Sequence, residues 1–232
     1  MHGAKVVQVG GNFDDAMDIV KRISEEVEVT LVNSVNPFRL QGQKTAAFEV
    51  VDELGSPPDY HFLPVGNAGN ISAYWMGYVE YVNAGITDTK PRMVGCQASR
   101  AAPFLVGAPI TEPETVATAI RIGNPQSWDL ANAAVTESNG WFRGSGDDSI
   151  LSAQKMLAER CGIFCEPASA VAIAGLCDEM EKGNIQENSV VVCTLTGHGL
   201  KDPDIAIDQS PEPITIPKGG EGLRDLILSS ID

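Results

Sequence analysis

Short apolar runs alternate along this chain with stretches whose hydrophobic residues recur at helical spacing, and that alternation restricts the fold more than any other feature. Strands separated by helices are not joined by tight hairpins; they run parallel, with the helices crossing over the faces of the sheet. Residues 5–9 alternate and lead into Gly10, Gly11 and Asn12, after which Ala16, Ile19, Val20 and Ile23 share one helical face. Residues 27–32 read as a second strand, so the first 32 residues are expected to form a β-α-β unit. A helix carrying Ala47, Val50, Val51 and Leu54 follows, closed by Gly55. Next come a strand at 61–65, a helix carrying Ile71, Tyr74, Trp75, Tyr78 and Val79, and a strand at 92–97. Residues 98–146 are less regular and hold several turn-favouring glycines and Asn124-Pro125. Helices are expected at 148–160 and from Pro167, a fully apolar strand at 190–195, and mostly loop after Lys201. The expected class is α/β, a mainly parallel twisted sheet flanked by helices. Because the chain enters almost directly into its first strand, a compact fold is expected to need earlier residues.

With 232 residues, 43% of them hydrophobic, the chain can bury a substantial core. Its net charge of -15, from 31 acidic and 16 basic residues with no Lys/Arg run, opposes binding to nucleic acid or anionic lipid. No apolar run approaches the roughly 20 residues that span a bilayer, and residues 1–5 lack the apolar core of a signal peptide, so a cytoplasmic location is expected. The five cysteines, Cys96, Cys161, Cys165, Cys177 and Cys193, include no Cys-x-x-Cys pair, and the three histidines add no metal spacing. Neither a disulfide framework nor a zinc site is expected; the cysteines read as small hydrophobes.

Four segments carry chemistry. Pro64-Val65-Gly66-Asn67-Ala68-Gly69-Asn70 lies between an apolar strand and an amphipathic helix, where backbone N–H groups and the positive end of the helix can meet a phosphate. A plain tight turn would also use these glycines, but the asparagines on both sides of Ala68 add donors that a plain turn does not need. The segment from Asn33 to Thr45 offers Asn33, Ser34, Asn36 and Arg39 at another strand end, a second anion site if Arg39 grips a phosphate bidentately, or else an ordinary polar loop. Residues 192–203 contain Thr196-Gly197-His198-Gly199, in which Thr196 presents a hydroxyl at the sheet edge. In Phe164-Cys165-Glu166-Pro167-Ala168-Ser169-Ala170, Glu166 suits a helix N-terminus and can also line a pocket.

In this order, Asn-Ser-Val-Asn-Pro-x-Arg-x-x-Gly-Gln-Lys-Thr, Pro-Val-Gly-Asn-Ala-Gly-Asn, Cys-Glu-Pro-Ala-Ser-Ala and Thr-Gly-x-Gly-Leu-Lys-Asp-Pro resemble the threonine synthases, over nearly the whole chain. The resemblance implies the tryptophan-synthase-β-like fold (fold type II) and the carboxy-terminal portion of such an enzyme, with residues 1–32 a remnant of the smaller domain and 33–232 the larger cofactor-binding domain. It implies pyridoxal 5'-phosphate as cofactor, its phosphate held by Gly66, Asn67, Ala68, Gly69 and Asn70 and its ring nitrogen facing Thr196. Asn33, Ser34, Asn36 and Arg39 would hold the phosphate of O-phosphohomoserine, which such enzymes convert with water to threonine and phosphate. Threonine dehydratases share similar glycine-rich and Glu-Pro-Ala-Ser segments; the Arg39 segment is what distinguishes a phosphorylated substrate. The family's Schiff-base lysine lies in a Ser-Phe-Lys-Asp-Arg-Gly-like segment, and nothing similar occurs among the eight lysines here. The expectation is therefore a truncated product or half of a split enzyme, inactive without an amino-terminal partner and homodimeric as a whole. The remaining alternative is a non-catalytic module that binds phosphorylated metabolites.

Overall fold

A computed structural model describes residues 3–11, 13–33, 36–216, 218–220 and 222–229. Two compact units divide the chain, Met1–Asp202 and Pro203–Asp232. The second contains helices α9 (Pro203–Asp208) and α10 (Leu223–Ser229), where the prolines of the sequence suggest mostly loop.

In the first unit, helices α1 (Phe13–Glu26), α2 (Pro37–Gln43) and α3 (Thr45–Leu54) precede strand β1 (Tyr60–Pro64), helix α4 (Gly69–Asn83) and strand β2 (Arg92–Ala98). Then come α5 (Pro103–Val106), α6 (Trp128–Glu137), β3 (Trp141–Ser145), α7 (Asp147–Cys161), α8 (Pro167–Glu181) and β4 (Val191–Cys193), with single 3-10 turns at Thr118–Ile120 and Gly199–Lys201. The four strands form one sheet in the order β3-β2-β1-β4, and every pairing is parallel. Register places Tyr60 opposite both Arg92 and Val191, and Val94 opposite Trp141.

This order follows from burial on both faces. Phe62, Val94 and Cys96 point into a cluster shared with Ile150, Leu157 and Val171 of α7 and α8. Leu63 and Met93 join Ile71, Trp75 and Tyr78 of α4 and Ala131 and Val135 of α6 on the opposite face. Successive crossovers from β1 to β3 through α4 and α6 move the chain one way across the sheet. The return through α7 and α8 carries β4 to the other side of β1, as the right-handed crossover rule requires once the covering face changes. The direction of strand progression therefore reverses between β1 and β4, and in open parallel sheets the crevice at the strand ends of such a reversal is where ligands bind.

Three expectations need correction. Residues 5–9 and 27–32 form no strand, so the leading β-α-β unit is absent: Val6 and Val7 are 90% and 85% exposed, and α1 stands between two segments without sheet partners. Alternation makes a segment fit for a ladder, but the ladder exists only where another backbone supplies its bonds. The irregular region 98–146 contains α6 and β3, the latter an edge strand whose only half-buried Trp-Phe-Arg-Gly sequence hides the apolar signal. The apolar run 190–195 is the opposite edge strand, shorter than expected and half-buried rather than central. The prediction around α3 agrees with the structure, down to Gly55 closing the helix at φ 75°. Cys96 and Cys165 are buried, Cys193 is half-buried, Cys161 and Cys177 are exposed, and all five are free thiols. Among the described residues no group of side chains has a metal-binding arrangement, and no helix is long and apolar enough to cross a membrane.

Candidate active site

At the reversal between β1 and β4 a cleft of about 220 Å³ opens. Its lining includes every residue from Gly66 to Asn70, with Arg39, Gln43, Glu166, Thr196 and Lys201. Loops separated by more than a hundred residues thus converge where the topology places a ligand.

The loop after β1 is shaped by close packing. A Cβ on Gly66 would lie 2.9 Å from the Ile120 Cα, so only glycine lets the chain pass beside that 3-10 turn. Ala68 adopts φ 64°, a left-handed conformation that costs a non-glycine residue roughly 1 kcal/mol or more, and it is the residue immediately before the 15-residue helix α4. Helix geometry leaves the first N–H groups of α4 without intrahelical acceptors and concentrates positive potential there. The asparagine side chains brace this turn: Asn67 Oδ1 accepts from the Gln126 N–H at 2.8 Å, and Asn70 donates to the Pro64 carbonyl at 2.6 Å while its Oδ1 accepts from Ile71 N–H at 2.8 Å. The two amide side chains therefore brace the loop, which leaves backbone N–H groups as the donors it can offer to an anion.

Thr196 faces the loop from the end of β4, and sequence reasoning missed the residue that orients it. Ser169, fully buried on α8, accepts from the N–H groups of Thr196 (2.9 Å) and Gly197 (2.6 Å). Its Oγ also lies 3.0 Å from Thr196 Oγ1 and 3.1 Å from the Gly197 carbonyl. A serine hydroxyl has two lone pairs and one proton. With both lone pairs engaged by backbone N–H groups, Ser169 has no capacity to accept from Thr196, and the Thr196 proton remains available to an acceptor in the cleft. The Pro-Ala-Ser segment marked this stretch, but nothing local shows that residue 169 meets residue 196.

The Arg39 segment divides. Arg39 lines the cleft, together with Gln43 one turn further along α2. Asn36 caps α2 instead: its Oδ1 accepts from Phe38 N–H at 3.0 Å, its Nδ2 donates to the Leu31 carbonyl at 3.1 Å, and it lines an adjoining hollow bounded also by Arg39 and Gln43. Asn33 Nδ2 approaches Met17 Sδ at 3.1 Å and is not among the residues lining the cleft. Ser34 lies outside the described residues.

Beneath the cleft His61 ties the two arms together. Its Nδ1 is 2.8 Å from the Tyr78 hydroxyl and its Nε2 2.7 Å from Thr194 Oγ1, two residues before Thr196. Burial disfavours the imidazolium and lowers its pKa to about 3. His61 is therefore a neutral strut between β1 and β4.

The family model described as pyridoxal-phosphate dependent enzyme matches residues 1–197. The chain belongs to that family. It is 57% identical over 210 residues to the threonine synthase of Synechocystis sp., covering 90% of this chain and 54% of that protein. With the threonine synthase of Halalkalibacterium halodurans it shares 49% identity over 232 residues, 100% of this chain and 65% of the relative. The chain thus spans between roughly half and two thirds of the length of these relatives. The solved threonine synthase of Escherichia coli superposes with a TM-score of 0.70 at 20% identity, covering 91% of this chain and 51% of that one. That likeness establishes the fold, fold type II among pyridoxal-phosphate enzymes, as the resemblance implied. The cleft's lining fits the family's cofactor, because it includes a helix N-terminus, which can receive a phosphate, and the Thr196 hydroxyl, which can donate to a ring nitrogen.

Proposed function

We propose that this chain is the cofactor-holding portion of a threonine synthase, acting on O-phosphohomoserine and water to give threonine and inorganic phosphate. The observation that carries the reading is that Arg39 and the loop from Gly66 to Asn70 line one cleft, giving it two places for an oxyanion. In this reading the cofactor phosphate takes the loop and a phosphate on the substrate takes Arg39, whose planar guanidinium suits it. In this reading residues 66–70 hold the pyridoxal phosphate group, with Asn67 and Asn70 fixing the loop, and Thr196 donates its unshared proton to the pyridine nitrogen. A neutral donor there leaves the ring unprotonated. Arg39 binds the substrate phosphate, with Gln43, which also lines the cleft, one turn further along α2. Asn36 contributes by capping the helix that carries Arg39. The bound cofactor supplies an electron sink that lets protons leave Cα and Cβ of the substrate.

The family's Ser-x-Lys-x-x-Gly segment does not occur in this sequence. A lysine from another polypeptide segment is then required as covalent anchor and proton carrier. The test is release of inorganic phosphate from O-phosphohomoserine by the chain alone and with a supplied fragment bearing that segment. The expected result is turnover only with the fragment; release by the chain alone would sink the incompleteness. In the reconstituted enzyme, Arg39→Ala should lower kcat/KM for O-phosphohomoserine about tenfold to a hundredfold, the scale of a lost charge-assisted contact. Activity on threonine should remain unimproved; equal losses for both substrates would remove the phosphate role and favour a dehydratase.

A further inference from the structure

Among the residues that line the cleft, Glu166 is the one carboxylate, and it is poorly suited to a site for anions. Its side chain is only 3% exposed. A Cβ on Gly197 would lie 1.9 Å from Glu166 Oε1, so the Thr-Gly turn is folded directly against the carboxylate, and the Glu166 N–H donates to the Gly197 carbonyl at 3.0 Å. Lys201 answers the carboxylate, with Nζ 3.2 Å from Oε1 and a side chain that remains 60% exposed.

The backbone beneath Lys201 is held as firmly as its partner. Gly199 N–H donates to the Phe164 carbonyl at 3.1 Å, and His198 Nδ1 accepts from Leu200 N–H at 3.2 Å, which caps the 3-10 turn ending at Lys201. On the far side, Asp202 accepts from Thr118 Oγ1 at 2.6 Å, one residue before the cleft-lining Ala119. Two segments are therefore arranged so that an ammonium sits against a buried carboxylate inside an anion-binding wall.

We propose that Lys201 is a specificity-determining residue of the cleft: by neutralising the buried Glu166 it leaves the positive charge of Arg39 and of the α4 N-terminus uncancelled, so that a phosphate-bearing ligand is accepted. The inference rests on the reading of this cleft as a phosphate site. A neutral ligand is indifferent to the pair, whereas a dianion meets the full repulsion of a bare carboxylate when Lys201 is absent.

The experiment is calorimetric titration of the full chain with inorganic phosphate, pyridoxal phosphate and pyridoxal, at mildly alkaline pH where carboxylates are ionised. Lys201→Met should weaken phosphate and pyridoxal phosphate about tenfold and leave pyridoxal unchanged. Lys201→Arg should bind as the unaltered chain does, Glu166→Gln should bind phosphate more tightly, and the double substitution Glu166→Gln with Lys201→Met should restore affinity to within about threefold. Equal loss of pyridoxal and pyridoxal phosphate in Lys201→Met would mark a purely structural role and overturn the proposal, as would a double variant no better than the single one. If Lys201→Met does not fold, Glu166→Gln decides: phosphate binding that is not tightened overturns it. An unaltered chain that binds neither phosphate nor pyridoxal phosphate would sink the parent reading, whereas normal binding with indifferent variants sinks this inference alone.

Discussion

At the scale of single residues, the arm that carries Thr196 depends on one hydroxyl and one missing methyl group. Ser169 accepts from two backbone N–H groups, and replacing it with alanine leaves both without that acceptor inside the protein. Ser169→Ala should cost about 1–3 kcal/mol in denaturant unfolding. It should also weaken pyridoxal binding more than inorganic phosphate binding, because the turn it loosens holds Thr196 and not the glycine loop. Titration with the two ligands separates these losses; a larger loss for phosphate would contradict the assignment of the two arms. At Gly197 the added Cβ would meet the Glu166 carboxyl at 1.9 and 2.4 Å and its Cγ at 3.1 Å, so the buried side chain or the turn has to shift. Gly197→Ala should therefore destabilise by about 1–3 kcal/mol, the usual cost of overpacking, visible as a lowered Tm. The sequence marks the Thr-Gly pair as a turn but does not reveal what lies against it, since Glu166 arrives from a separate segment.

Among elements, helix α1 reaches the loop from Gly66 to Asn70 through an intermediary. The backbone N–H groups of Gly123 and Asn124 bond to the Asp14 carboxyl, whose pKa is raised chiefly by burial, and Lys21 Nζ donates to Gln126 Oε1 at 2.5 Å. Gln126 N–H in turn donates to Asn67 Oδ1, and Ser127 N–H to the Asn67 carbonyl at 3.3 Å. Asn67→Ala should release the start of α6, so amide exchange in residues 123–127 should accelerate about tenfold without change in β2; unchanged exchange would show that the side chain is not a brace. Such ties explain what could be read beforehand. The strand, loop and helix spanning residues 60–83 were legible because apolar period, glycines and helix signal all lie within one stretch. The absence of strands at residues 5–9 and 27–32 was not, because Val6 and Val7 have the pattern of a strand and lack only a partner. The edge strand β3 escaped notice for the opposite reason: it has partners on one side only, and its Trp141-Phe142-Arg143-Gly144 sequence lacks an alternating apolar signal. Asn36 shows the same limit within the site, since its type suited a ligand and the structure uses it as a cap.

Across the whole molecule, the reversal of strand direction between β1 and β4 creates the crevice but leaves these strands joined by a short ladder of three paired positions. His61 strengthens that seam from below, bridging Tyr78 of α4 and Thr194 just past β4. This makes the seam acid-sensitive, and the sign is determined by linkage. The folded pKa of about 3 lies below the ordinary value of 6.5, so between these limits the unfolded chain binds the proton and the folded one does not. Stability from this group is complete above pH 6.5 and is lost as the pH falls toward 3. Each pH unit inside that window removes about 1.4 kcal/mol at most, a scale large enough to affect a marginally stable fold. Equilibrium unfolding followed from neutral to acidic pH should show this slope, superimposed on the titration of the carboxylates. His61→Gln, which keeps a donor and an acceptor without a proton to gain, should flatten the portion between about pH 6 and 5, where few ordinary carboxylates titrate. An unaltered slope there would mean that the imidazole is solvated and protonated in the fold, and the strut between the two arms of the cleft would have to be abandoned.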